Sequence, residues 1–382
     1  HIEDSLFQGN YTRNTDIVGG GAINIGRDHL ASDKPFVLYI KNSQFIDNHS
    51  SAEGRGDAVR RAVWGGGAIR LDSGKVRFSG VNEFRGNWTG QGDAAGGRNR
   101  NDIELAAASA TDNVPWLYVD DGTLILDGGI RGVRNGDLDG ARLNARVTVE
   151  NGATLEARNE GEYTLIRGVH FVNNGTVKVD TGRSLLFFHN GAASKIVDGN
   201  VEQDSYGRII NNNNIENNGT VKIGDSILEM TDNAKVTGKG TMILMAIGDA
   251  ETENGQTLAK GEEIEAELYI SGANAQIENA LVNKGKISIL ADKDLTIGGA
   301  LTNNKNIVNE GVLNIAGGGT NSGTVANAGT VNVKGGTLTL NKGISGIGTT
   351  KIAAGAGVSV AGDKVDIENS VENKGVLTVF AG

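Results

Sequence analysis

The sequence predicts an all-β chain wound as a right-handed parallel β-helix, a solenoid of about 17 coils. Three observations carry that expectation. One phrase, Asn-x-Gly followed by alternating apolar and polar residues, recurs six times in the last two thirds of the chain. The composition is extreme: 58 Gly and 40 Asn among 382 residues, against 2 Pro and no Cys. No amphipathic helical pattern of useful length interrupts the short strands; 103–110 is the only helix-leaning stretch.

The phrase occurs at 173–179, 217–223, 283–289, 309–315, 327–333 and 373–379. Its glycines are 44, 66, 26, 18 and 46 residues apart, near multiples of about 22, which suggests a coil of that length. Asn-x-Gly reads as turn chemistry, because both residue types tolerate positive φ. In Val177-Lys178-Val179 the valines face one side and the lysine the other, as in a strand with one buried face. Such strands are too short to stand alone. Stacked coil on coil, they share an apolar interior, and asparagines at equivalent turns can form amide ladders. Further strands are expected at 122–126, 145–149, 153–157, 336–340 and 357–360.

The first 118 residues use another vocabulary and form a first section with longer loops, followed by a regular section over 119–382, within one continuous solenoid. Phe-x-x-Asn occurs at 7–10, 45–48 and 84–87, and Gly-Gly-Gly-Ala-Ile at 19–23 and 65–69. The phenylalanine is expected inside, beside a turn asparagine, with the glycines bending the backbone into the next strand. The third pair departs: Gly96-Gly97 leads into 98–101, where one repeat type gives way to the other. Segment 246–267 carries six Glu and reads as an excursion from the coil.

Alternating Phe-x-x-Asn and Gly-Gly-Ala-Ile resembles the passenger repeats of autotransporters, particularly chlamydial polymorphic membrane proteins and related Gram-negative adhesins. The later Asn-x-Gly-Thr-Val-x-Val repeats resemble the β-helix of such passengers. The resemblance implies type V secretion through an outer-membrane barrel, display on the cell surface, adhesion and a part in virulence. Read so, the chain is a passenger whose barrel lies outside it, and the lack of Cys suits passage through a narrow pore.

Net charge is −10 and the pI about 5.1, which argues against nucleic acid or an anionic membrane as partner. No apolar stretch reaches the length of a membrane-spanning helix. The expected function is a non-enzymatic adhesin without a cofactor, its loops binding host or bacterial surface proteins or glycans. The alternatives are self-association as a biofilm factor, a bare stalk, and a carbohydrate-active β-helix enzyme such as a polysaccharide lyase or depolymerase.

The candidate binding residues are Arg55-Gly56-Asp57, an integrin-type tripeptide in a polar loop, together with Trp64 and Trp88. A glycine-rich chain also produces that triplet by composition, and the tryptophans, with Trp116, can instead cap an irregular interior. Asp137 and Asp139 offer oxygen ligands suited to calcium, but an ordinary turn explains them, so no metal is expected. Ser226, after Gly224-Asp225, lacks a nucleophile-elbow context. The carboxylate pairs Asp120/Asp121, Asp137/Asp139 and Asp102/Glu104 would serve a glycosidase only if they converged on one face. The sequons at Asn10, Asn48, Asn87, Asn174 and Asn218 follow from Asn-rich turns.

Overall fold

The computed structural model describes residues 1–14, 19–26, 36–52, 65–90, 98–107, 115–134, 145–159, 163–188, 196–197, 200–201, 208–246, 250–253, 256–260, 265–362 and 364–380. Among these the chain is strand, turn and extended backbone, with no helix. Three faces run along the molecule: a first of 13 strands, and a second and a third of 14 each, with parallel neighbours throughout. The chain visits first, second and third face in rotation, so each circuit adds one rung. This is the parallel β-helix that the repeats predict.

Among the described residues the rungs number 14, against the expected total of about 17. At ~4.8 Å each they stack to roughly 65 Å. The shortfall has a physical cause. A coil without insertions takes 18 residues, since Ile297 pairs with Ile315 and Ile315 with Val333. Insertions leave at the corners and lengthen other circuits: Phe7, Phe45 and Phe84 are register partners 38 and 39 residues apart. The phrase is also not tied to one corner. It turns from first to second face at 173–179, 309–315 and 327–333, from second to third at 217–223 and 373–379, and from third to first at 283–289. Phrase spacings therefore mix corners with insertions; the interval from Gly311 to Gly329 is the bare coil.

The phrase glycines correct a second expectation. None of Gly175, Gly219, Gly285, Gly311, Gly329 and Gly375 has a positive φ. They are glycine because the corner presses on the rung before it. A Cβ on Gly311 would overlap the carbonyl oxygens of Leu290 and Lys293, and one on Gly329 that of Gly311. Positive φ is taken up elsewhere, as at Gly152 (φ 84°) and Asn274 (φ 59°).

The interior follows from period-two alternation. In Arg146–Val149 the two valines are buried and Arg146 is exposed. Phe7, Phe45 and Phe84 stack inside at 4.8 and 4.6 Å between ring centroids, as the Phe-x-x-Asn motif implies. The helix-leaning 103–110 contains a strand, Ile103–Ala107, held between Ile69–Leu71 and Gly129–Arg134; 108–110 lie outside the described residues. Tertiary pairing on both edges overrides the local alanine preference.

Asparagines line the corners in ladders. Asn10 Nδ2 donates to Asn48 Oδ1 (2.8 Å), Asn48 to Asn87 (3.0 Å), and Asn87 to Asp102 Oδ1 (3.0 Å). Farther along, Asn283 donates to Asn303 (2.7 Å) and Asn303 to Asn321 (2.6 Å). Asn309 donates to Asn327 (2.7 Å), and Asn327 to Asn369 (3.1 Å). Each amide offers both a donor and an acceptor along the axis, so one residue type satisfies its neighbours above and below.

Among the described residues three elements leave the three faces, one of them a short antiparallel pair of Ile196–Val197 with Asn200–Val201. A four-stranded wing after the Phe-x-x-Asn corners comprises Tyr11–Asn14, His49–Ala52, Trp88–Gly90 and Arg98–Arg100, the last antiparallel. The acidic 246–267 segment carries an antiparallel hairpin of Ala250–Glu253 with Gln256–Lys260 before Glu267–Ile270 rejoins the first face.

Candidate functional site

Stacking turns each outward position into a row along the rod, so residues far apart in sequence meet at one-rung intervals. Three rows concentrate aromatic and cationic chemistry, all in the N-terminal rungs. On the wing, Tyr11, His49 and Trp88 are register partners. The His49 ring lies 4.1 Å from Tyr11, tilted 39°, and 4.2 Å from Trp88, at 5°. Trp88 is half-buried and Tyr11 exposed. Trp88 therefore belongs to an aromatic stack outside the coil interior. Arg55, Gly56, Asp57, Trp64, Asp137 and Asp139 lie outside the described residues.

The second row crosses the first face. Lys75, Trp116 and Arg146 are consecutive register partners, continued by His170. Lys75 Nζ sits 5.0 Å from the Trp116 ring centroid and Arg146 Cζ 5.1 Å from it. In the adjoining outward row, Arg77 Cζ lies 4.6 Å over Tyr118, and Tyr39 stacks on His1 at 4.7 Å. Asp120 neutralises Arg77 through two 2.7 Å hydrogen bonds from the guanidinium. Among the described residues no carboxylate pairs with Lys75 or Arg146. Cation–π contact fixes where these two charges sit without cancelling them.

The acidic candidates among the described residues are engaged in structure. Asp121 Oδ1 accepts from the Gly80 amide at 2.9 Å. Glu104 is fully buried and bonded to Arg70 Nη1 at 2.6 Å, with Arg70 Nε on Asp72 at 2.7 Å. Asp102, also fully buried, ends the Asn10–Asn48–Asn87 ladder and accepts from the amides of Gly128 (2.8 Å) and Gly129 (2.9 Å). Ser226 is buried at a corner, where its carbonyl accepts from the Glu267 amide at 3.0 Å. His170 lies two strands away on the first face, about 10 Å by rung spacing. Among the described residues no group of His, Asp and Glu could hold a metal.

Two buried groups give opposed pH dependences. Burial pushes the Asp102 carboxyl up to about 7 against the pull of the Gly129, Asn87 and Gly128 donors. Its stabilising contribution is complete below the ordinary carboxylate value and is lost as pH rises toward 7. Burial, then the charges of Arg146 and Arg208, lowers His170 to about 4. Its contribution is complete above the ordinary histidine value and is lost as pH falls toward 4. Between pH ~4 and ~6.5 the two slopes oppose, each at most about 1.4 kcal/mol per pH unit. In Asp102→Asn, stability should therefore rise more steeply with pH than in the parent over this window; in His170→Gln it should fall more steeply. Denaturant melts at pH 4.5, 5.5 and 6.5 read both slopes, and parallel curves for all three proteins would refute the assignment.

Comparison of the chain with protein-family models, curated proteins and solved structures returns no match. Lys75, Arg146, Tyr118 and His49 carry no motif in the sequence. The alternation around them marks them as outward, but only coil register brings them together, and insertions of unequal length conceal that register.

Proposed function

We propose that the chain is a non-enzymatic adhesive rod, displayed on a Gram-negative surface in the manner of the autotransporter passengers its repeats resemble. The observation that supports this most is the placement of the chemistry. The aromatic and cationic residues stand on outward rows of the N-terminal rungs, while the buried Asp102 is tied into a corner and the buried Glu104 is paired with Arg70 on the third face. A rod that presents such rows holds weak contacts at a distance from the cell, and many copies supply avidity.

Beads coated densely with the protein should adhere to epithelial or bacterial cell layers, and beads coated with an unrelated acidic protein should not. Adhesion should fall steeply as coating density drops, as avidity requires. Failure of the dense beads to adhere, or release of oligosaccharides from the layer, would contradict the proposal.

A further inference from the structure

We propose that the Lys75–Trp116–Arg146 row is a binding track for a linear acidic polysaccharide lying along the rod axis. This rests on the reading of the chain as a non-enzymatic binding rod and names the chemistry of its ligand.

Charge comes first. The chain carries a net −10, yet this row presents two cations with no described acid partner. They stand two rungs apart, about 10 Å, on a rigid parallel sheet. The next outward cation on the Lys75 strand, Arg77, is already satisfied by Asp120. Among the described outward cations of the first face, Lys75 and Arg146 are the ones left to recognise an external anion.

Ring geometry then separates acidic from neutral sugars. A bare tryptophan face would stack on an uncharged pyranose. Here cations sit against Trp116 from the rung before and the rung after, at 5.0 and 5.1 Å. The indole is thus a spacer that holds two charges at fixed separation. A polymer with an anionic group at each repeat matches that pattern, because polymer and protein both repeat along one line.

Charge density separates the polysaccharide from nucleic acid. Asp120, Asp121 and Glu150 stand past the opposite end of the Trp116 and Arg146 strands, at the corner between first and second faces, about 13 Å from the row. A duplex carrying one charge per ~1.7 Å would set about six phosphates against these two cations over the ~10 Å between them, within a chain that is acidic overall. A glycan with one carboxylate or sulfate per repeat can seat its anions on Lys75 and Arg146 and stay clear of the acids at the far corner.

The test uses the full chain and immobilised polygalacturonate, dextran sulfate and neutral dextran, with calf-thymus DNA as a further arm. The chain is expected to bind at least one of the two acidic polymers in low salt, about tenfold or more tighter than neutral dextran or DNA, and to lose binding as salt rises. Lys75→Glu/Arg146→Glu should weaken that binding about tenfold or more, while Lys351→Glu/Lys374→Glu on distant rungs should not. The neutral pair Lys75→Gln/Arg146→Gln, with thermal melting as a folding check, separates lost contacts from lost fold. Preference for carboxylate or sulfate identifies which anion is read. Binding that survives both row variants overturns the track, as does equal or tighter binding to DNA or neutral dextran. Cell adhesion by beads without binding to either acidic polymer overturns the track and leaves the adhesive rod standing. Loss of both overturns both, and shortening of a polymer replaces them with an enzyme.

Discussion

Gly311→Ala is expected to destabilise the rungs around it by about 2–4 kcal/mol, near the upper end for a single methyl group. The added Cβ would overlap the carbonyl oxygens of Leu290 and Lys293. Neither can yield cheaply, because both are backbone: Lys293 O already accepts from the Val312 amide at 2.9 Å. Relief requires spreading two rungs that are bonded on three faces. Gly152→Ala is the control. Its φ is 84°, but no atom lies within 4 Å of the added Cβ. Only the left-handed strain remains, about 1 kcal/mol. Denaturant unfolding, with hydrogen exchange to localise the loss, should rank Gly311→Ala well below Gly152→Ala. The reverse order would mean that the phrase glycines serve conformation rather than rung contact.

Asn303→Leu is expected to cost a similar 2–4 kcal/mol for a different reason. Asn303 is fully buried, receives a hydrogen bond from Asn283 and gives one to Asn321. Leucine preserves most of the volume but removes both bonds. Asn321 Oδ1 then loses its amide donor inside the rod, and Asn283 Nδ2 keeps only Asn306 O. The neighbouring exposed Asn304 is outside this ladder, and Asn304→Leu should change stability by less than about 0.5 kcal/mol. Asn303→Asp adds a pH test. An ionised carboxylate would set acceptor against the Asn321 acceptor, so this variant should be least stable at neutral pH and recover as acid protonates the group. Equal melting of the two leucine variants would show that the ladder contributes no net stability.

Much of the fold is legible in the sequence because its signals are local. Val177-Lys178-Val179 announces a half-buried strand, Phe7, Phe45 and Phe84 mark equivalent interior places, and the turn asparagines stack as their two-sided amides allow. The details that misled are non-local. Gly311 looks like a turn glycine until the preceding rung's carbonyls are in place. The phrase spacing looks like a coil length until its copies prove to occupy three different corners. The site is less legible still. Trp88 and Trp116 stand out by residue type, but their partners do not: His49 is 39 residues from Trp88, and Lys75 and Arg146 lie 41 before and 30 after Trp116. Stacked register alone makes those residues neighbours.

That register can be measured directly, and the absence of native Cys makes the labelling clean. Thr148 and Ala326 lie in one outward row, seven rungs apart through Val172, Ile210, Glu229, Tyr269, Ser288 and Val308. Spin labels on Thr148→Cys/Ala326→Cys should give one narrow distance near ~34 Å, shortening by about one rung when the second label moves to Val308→Cys. A broad distribution, or a distance indifferent to that move, would contradict the stacked helix on which the ladders, the corner glycines and the cation row all depend.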